Sequence, residues 1–132
     1  MWTQLAAILI AGCTDTPPPL QVSGLVIAPP IPGSAMSAGY FTLTNNSDAP
    51  ITITDVDSPH YDAVDMHETV IANDIARMLP LDAVTLSPGD VVTFERGGKH
   101  LMLSRRNDTA GPVMLYFYSG DTVLLTVSAG AR

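Results

Sequence analysis

Between Met66 and Met102 the chain reads MHETVIANDIARMLPLDAVTLSPGDVVTFERGGKHLM, and its apolar residues recur at the spacing of strands joined by tight turns. Val64 to Ile71 is a β-prone run, Asn73-Asp74 has turn chemistry and Ile75 to Leu79 returns, which predicts a hairpin. With the turn centred between residues 73 and 74, Thr69 faces Met78. His67 shares the face of Thr69, so His67 and Met78 are expected as diagonal neighbours across the hairpin. Farther on, Ser87-Pro88-Gly89-Asp90 is a turn before Val91 to Glu95, and Gly97-Gly98 leads into Lys99-His100-Leu101-Met102-Leu103. The two-residue step puts His100 and Met102 on one face of that strand, with Leu101 and Leu103 on the core face. Met66 neighbours His67, so it points the other way and is expected in the core.

The flanking sequence has the same character. Gln21 to Ile27 reads as a strand, and the prolines at 29, 30 and 32 with Gly33 break the pattern after it. Gly39 to Thr44 and Ile51 to Val56 alternate, and Ala83 to Leu86 is a further short run; Ile51 to Val56 is expected as one half-buried strand. Pro112 to Ser119 and Thr122 to Ser128 make a terminal hairpin about Gly120-Asp121. Eight or nine short strands with no sustained helical period predict a single all-β sandwich. The 11 prolines, 10 glycines and low charged content of 14% agree with a turn-rich β domain, and 46% hydrophobic residues suffice for a core. The formal charge of -7, from 6 basic against 13 acidic residues, argues against nucleic acid or anionic lipid headgroups as partners. With neither a nucleophile paired with a base nor a phosphate-binding glycine loop, an enzyme is disfavoured.

Trp2 to Ala11 is nearly all apolar, too short to span a membrane as a helix, and runs into Ile10-Ala11-Gly12-Cys13, which resembles the lipobox of bacterial lipoproteins. The expected organisation is a signal peptide over 1–12, a lipidated Cys13 with a proline-rich tether over 13–20, and one domain over 21–132. Such a chain is held at the membrane through its lipid anchor only. Cys13 is the single cysteine, which excludes an internal disulfide and any site built on a cysteine pair.

The four side chains that the strands are expected to bring together are spaced His67, ten residues, Met78, twenty-one residues, His100, one residue, Met102. Two imidazoles and two thioethers form a soft, neutral ligand set that suits Cu(I) better than Zn, Ca or Mg. Taken singly, Met78 and Met102 would fit a packed core equally well, since methionine is a flexible gap-filler. His60, beside Pro59 in a loop, falls outside the spacing and is read as a surface histidine.

This spacing resembles that of the PCuAC family of periplasmic copper chaperones, whose signature is His-x10-Met-x21-His-x-Met. Gly39-Tyr40-Phe41-Thr42-Leu43-Thr44-Asn45 and Gly97-Gly98-Lys99-His100-Leu101-Met102-Leu103 are similar to that family's early strand and ligand loop. The resemblance, over about residues 20 to 130, implies a cupredoxin-like Greek-key β-sandwich with His67, Met78, His100 and Met102 as Cu(I) ligands. It also implies a monomeric chaperone of the bacterial periplasm that delivers copper toward the CuA domain of cytochrome c oxidase, directly or with a Sco-type protein. Two alternatives carry different expectations: a copper storage or tolerance protein, and a structural β-sandwich lipoprotein without metal. A blue-copper electron carrier needs a cysteine thiolate in the site, and Cys13 lies in the lipobox.

Overall fold

The computed structural model describes residues 17–30, 32–107 and 112–129. The expected signal segment, Cys13 and the first part of the tether lie outside them. Eleven strands follow in order: β1 (Leu20–Ala28), β2 (Met36–Asn45), β3 (Ile51–Ile53), β4 (Asp55–Asp57), β5 (Tyr61–Ala72), β6 (Ile75–Pro80), β7 (Val84–Leu86), β8 (Val91–Phe94), β9 (Lys99–Arg106), β10 (Val113–Ser119) and β11 (Thr122–Ala129). No helix occurs among the described residues.

The strands form a six-stranded sheet ordered β1-β2-β8-β9-β5-β6, a three-stranded sheet ordered β11-β10-β4, and the pair β3-β7. β8 and β9 occupy successive lengths of β2: residues 41–44 pair with β8 and residues 36–39 with β9. Alternation along these strands sends Phe41, Leu43, Val64, Met66, Phe94, Leu101 and Leu103 inward. There they join Leu115 and Phe117 of β10, Val56 of β4, and Ile53 and Leu86 of the β3-β7 pair in one buried cluster. Phe41 links the layers: its ring stacks on Phe94 at 4.5 Å between centroids and meets Phe117 edge-on at 5.5 Å. Met66, 6% exposed, sits in this core as its parity requires.

The β5-β6 hairpin has the expected register, with Thr69 opposite Met78. Its turn is built on Asn73 and Asp74, both at positive φ (53° and 61°), the backbone that matches the twist of a two-residue hairpin.

The expected single strand over Ile51 to Val56 is instead two strands in two different sheets. β3 pairs with β7 and β4 with β10. Thr54 and Asp55 are both exposed between buried Ile53 and Val56, so the alternation breaks where the chain crosses layers. Thr54 anchors the crossing: its amide donates to the Tyr118 carbonyl at 2.8 Å, and its hydroxyl accepts from the Gly120 amide at 2.8 Å. This split, and the short β7, raise the strand count above the eight or nine expected.

Asn45, at the end of β2, is fully buried and ties the sheets together through its side chain. Its amide group donates to the carbonyls of Ala49 and Leu86, each at 2.9 Å, and its side-chain oxygen accepts from the amide and hydroxyl of Ser47.

Candidate metal centre

β9, β5 and β6 are consecutive in the large sheet, so three strands contribute to one patch on the face away from the core. His67 on β5 is directly opposite His100 on β9. Their rings lie 6.0 Å apart between centroids with planes 19° from parallel. Met102 is opposite Asp65, one step along the same face from the histidine pair, while Met78 is opposite Thr69, one step the other way. Antiparallel register thus surrounds His67 with the other three residues of the spacing.

One of the two histidine rings is oriented by a backbone carbonyl. His100 is 5% exposed, and its Nδ1 lies 3.0 Å from the Gly98 carbonyl oxygen. A carbonyl only accepts, so Nδ1 donates to it, and in the neutral imidazole Nε2 then presents a lone pair. That Nε2 is buried with no hydrogen-bond partner, and so is Nδ1 of the half-buried His67. Two orphaned imidazole nitrogens in neighbouring rings are costly in a folded protein unless something binds there.

A groove of about 460 Å³ opens beside His100, bordered also by Met78 and Met102, by Met36 and Tyr40 of β2, and by Arg96 in the turn between β8 and β9. The Arg96 guanidinium lies over the Tyr40 ring, 5.7 Å from its centroid, and forms part of the wall. His67 borders a second hollow of about 280 Å³, with Asp65, Pro80 and Asp82. The structure therefore gathers Met78, His100 and Met102 at one groove, while His67, opposite His100 in the sheet, lines the smaller hollow and not that groove. Met78 is 60% exposed on the edge strand β6, which removes the reading of it as a core methionine. Among the described residues no three His, Cys, Asp or Glu side chains are placed to hold a metal.

His60 stays apart from this patch. It lies in the turn before β5, where its carbonyl accepts from the Asn107 amide and its own amide donates to the Ser58 hydroxyl. Cys13 lies outside the described residues. Sequence reasoning passed over Met36, Tyr40 and Arg96; the period of β2 puts residues 36, 38 and 40 on one face, but the pairing of β2 with β9 has no local sequence signal.

The model of a family described as putative lipoprotein LpqE-like matches residues 20–128. The chain belongs to this LpqE-like family. No curated protein matches it. Among solved structures, the LpqE-like chain is similar to the copper-bound PCuAC domain from PmoF2, at 20% identity and a TM-score of 0.66, covering 86% of this chain and 92% of that one. The apo PCuAC domain of PmoF2 gives 19% identity and 0.65 over 86% and 90%. Apo-DR1885 from Deinococcus radiodurans, known from its solution structure, shares 25% identity with a TM-score of 0.54, over 98% of this chain and 88% of that one. These likenesses establish the expected fold, an all-β sandwich of cupredoxin-like Greek-key type.

Proposed function

We propose that this LpqE-like domain is a carrier of Cu(I) outside the cytoplasm, with His67, His100, Met78 and Met102 as the ligands of its cargo. The observation that carries this reading is the pair of buried, unpartnered imidazole nitrogens, His67 Nδ1 and His100 Nε2, with a thioether one step away on each side. Soft thioethers with neutral imidazoles favour Cu(I) and need no thiolate, so the site is compatible with an oxidising compartment. Likeness to a domain solved with copper bound supports the same reading.

The residues divide the work. His67 and His100 stand on interior strands of the sheet, and the Gly98 carbonyl holds the His100 ring with its metal-binding nitrogen ready. Met78, on the edge strand and open to solvent, is the thioether that an incoming acceptor reaches first. Exchange of one neutral thioether for a stronger thiolate draws the ion away without changing its oxidation state. The acceptor we propose is the CuA domain of cytochrome c oxidase, reached directly or through a Sco-type protein. Membership of a putative lipoprotein family supports attachment at Cys13, leaving the domain on a proline-rich tether in the periplasm. The protein acts as a carrier, with no bond of a substrate made or broken.

Competition with a chromophoric Cu(I) chelator tests the site. The protein is expected to withdraw one equivalent of Cu(I), and the His67→Ala and His100→Ala variants are expected to lose that ability. Unchanged withdrawal by both variants would sink the assignment. Transfer from the loaded protein to an apo CuA domain or an apo Sco-type protein then tests the acceptor.

A further inference from the structure

Three methionines, and not two, border the groove beside His100: Met36 joins Met78 and Met102. The register of β2 against β9 explains its presence. Ala38 faces Met102 and Met36 faces Ser104, so Met36 and Met102 are diagonal neighbours at a separation that long side chains bridge. The packing confirms which way they point. Ser37 is buried, and a Cβ on Gly39 would meet the Leu101 side chain at 3.2 Å, so residues 37 and 39 face the core while 36 and 38 face the groove.

Met36 does not serve as core filling. It is 36% exposed, against 6% for Met66. Its sulfur is positioned by a hydrogen bond from the Ser104 hydroxyl at 3.3 Å, which occupies one lone pair and leaves the other for a soft cation.

We propose that Met36 is an auxiliary thioether that exchanges with Met102 on the cargo Cu(I) during loading and release. In that step a copper-sulfur bond to Met36 forms as the bond to Met102 breaks. Both ligands are neutral and Cu(I) keeps its charge, so no electron or proton is required. The histidines keep hold of the ion throughout, and the flexible Met36 side chain swings in to reach it. This inference rests on the copper-carrier reading above.

The experiment compares the purified wild-type protein with Met36→Leu, Met102→Leu and the double variant, loaded with Cu(I) alone. X-ray absorption at the copper edge counts sulfur neighbours, and chelator competition gives affinity. Met102→Leu is expected to keep the wild-type sulfur count because Met36 takes the vacated position, and the double variant is expected to lose one sulfur. The double variant should bind about tenfold more weakly than the product of the single effects, a coupling of about 1.4 kcal/mol. A sulfur already missing in Met102→Leu, with single effects that simply multiply, overturns the auxiliary role. The His67→Ala, His100→Ala double variant separates the two levels: wild-type copper binding there removes the carrier reading itself, whereas its loss alongside multiplicative methionine effects removes only Met36. Circular dichroism of each variant checks that the sheet is intact.

Discussion

Replacing His100 with leucine should make the metal-free protein more stable while abolishing copper binding. In the native fold the buried Nε2 has no partner, a desolvation cost of about 1–3 kcal/mol. His100→Leu removes that cost and loses the Nδ1 bond to Gly98, worth about 1 kcal/mol. The Gly98 carbonyl is not left bare, because it also accepts the Thr69 amide at 3.0 Å. The balance favours the variant by about 1 kcal/mol, which for a domain of this size raises Tm by about 4 °C. Thermal unfolding followed by circular dichroism, with a chelator present, measures this. Added Cu(I) should then raise Tm of the wild type through linkage and leave the variant unmoved. A fall in the metal-free Tm of similar size would refute the accounting of the orphaned nitrogen, and a copper-dependent rise in the variant would refute its role as a ligand.

Other expectations separate stability from binding. Met78→Leu, at a 60% exposed position, should leave folding stability within about 0.5 kcal/mol while weakening Cu(I) binding by about tenfold, measured by urea unfolding and chelator competition. Asn45→Ala should do the reverse: it strips the Leu86 carbonyl of its buried side-chain donor and should cost about 1–3 kcal/mol in urea unfolding, with the copper affinity of the folded protein unchanged. Phe41→Ala removes the ring that joins Phe94 to Phe117 and should cost about 3–5 kcal/mol by the same assay. Acidification should weaken Cu(I) binding, because a protonated imidazole has no lone pair for the metal; chelator competition at successive pH values measures the slope, and a flat profile would exclude the histidine pair.

Local signals carried a large part of this architecture. The alternation at residues 100–103 put Leu101 and Leu103 in the hydrophobic core and His100 and Met102 on the opposite face, where they border the groove, and the Asn73-Asp74 turn fixed Thr69 against Met78. Each of those readings depends only on residues a few positions apart. What escaped involved contacts between distant segments. The direct opposition of His67 and His100 is set by pairing of β5 with β9, and the arrival of Met36 by pairing of β2 with β9, neither of which leaves a local trace. The crossing at Thr54 escaped for a different reason. Thr52, Thr54 and the isoleucines around them alternate as a strand should, but partners at Tyr118 and Gly120 pull Thr54 out of the pleat.

The placement of the four residues bears on how such a site could both hold and surrender an ion. An imidazole pair on interior strands, one ring pinned by a backbone carbonyl, has little freedom to follow a departing metal. Thioethers are different: Met78 stands exposed on the edge of the sheet, and Met102 has Met36 diagonal to it across the β2-β9 pair. Unbranched side chains with three rotatable bonds can follow the ion over a short distance at little cost in strain. A carrier built from four pinned ligands would release copper only by disturbing its sheet. On the copper-carrier reading, with His100 pinned and the methionines free to turn, the sheet can remain intact while the thioethers exchange, so the barrier to transfer should depend on the methionines and the resting affinity mainly on the histidines.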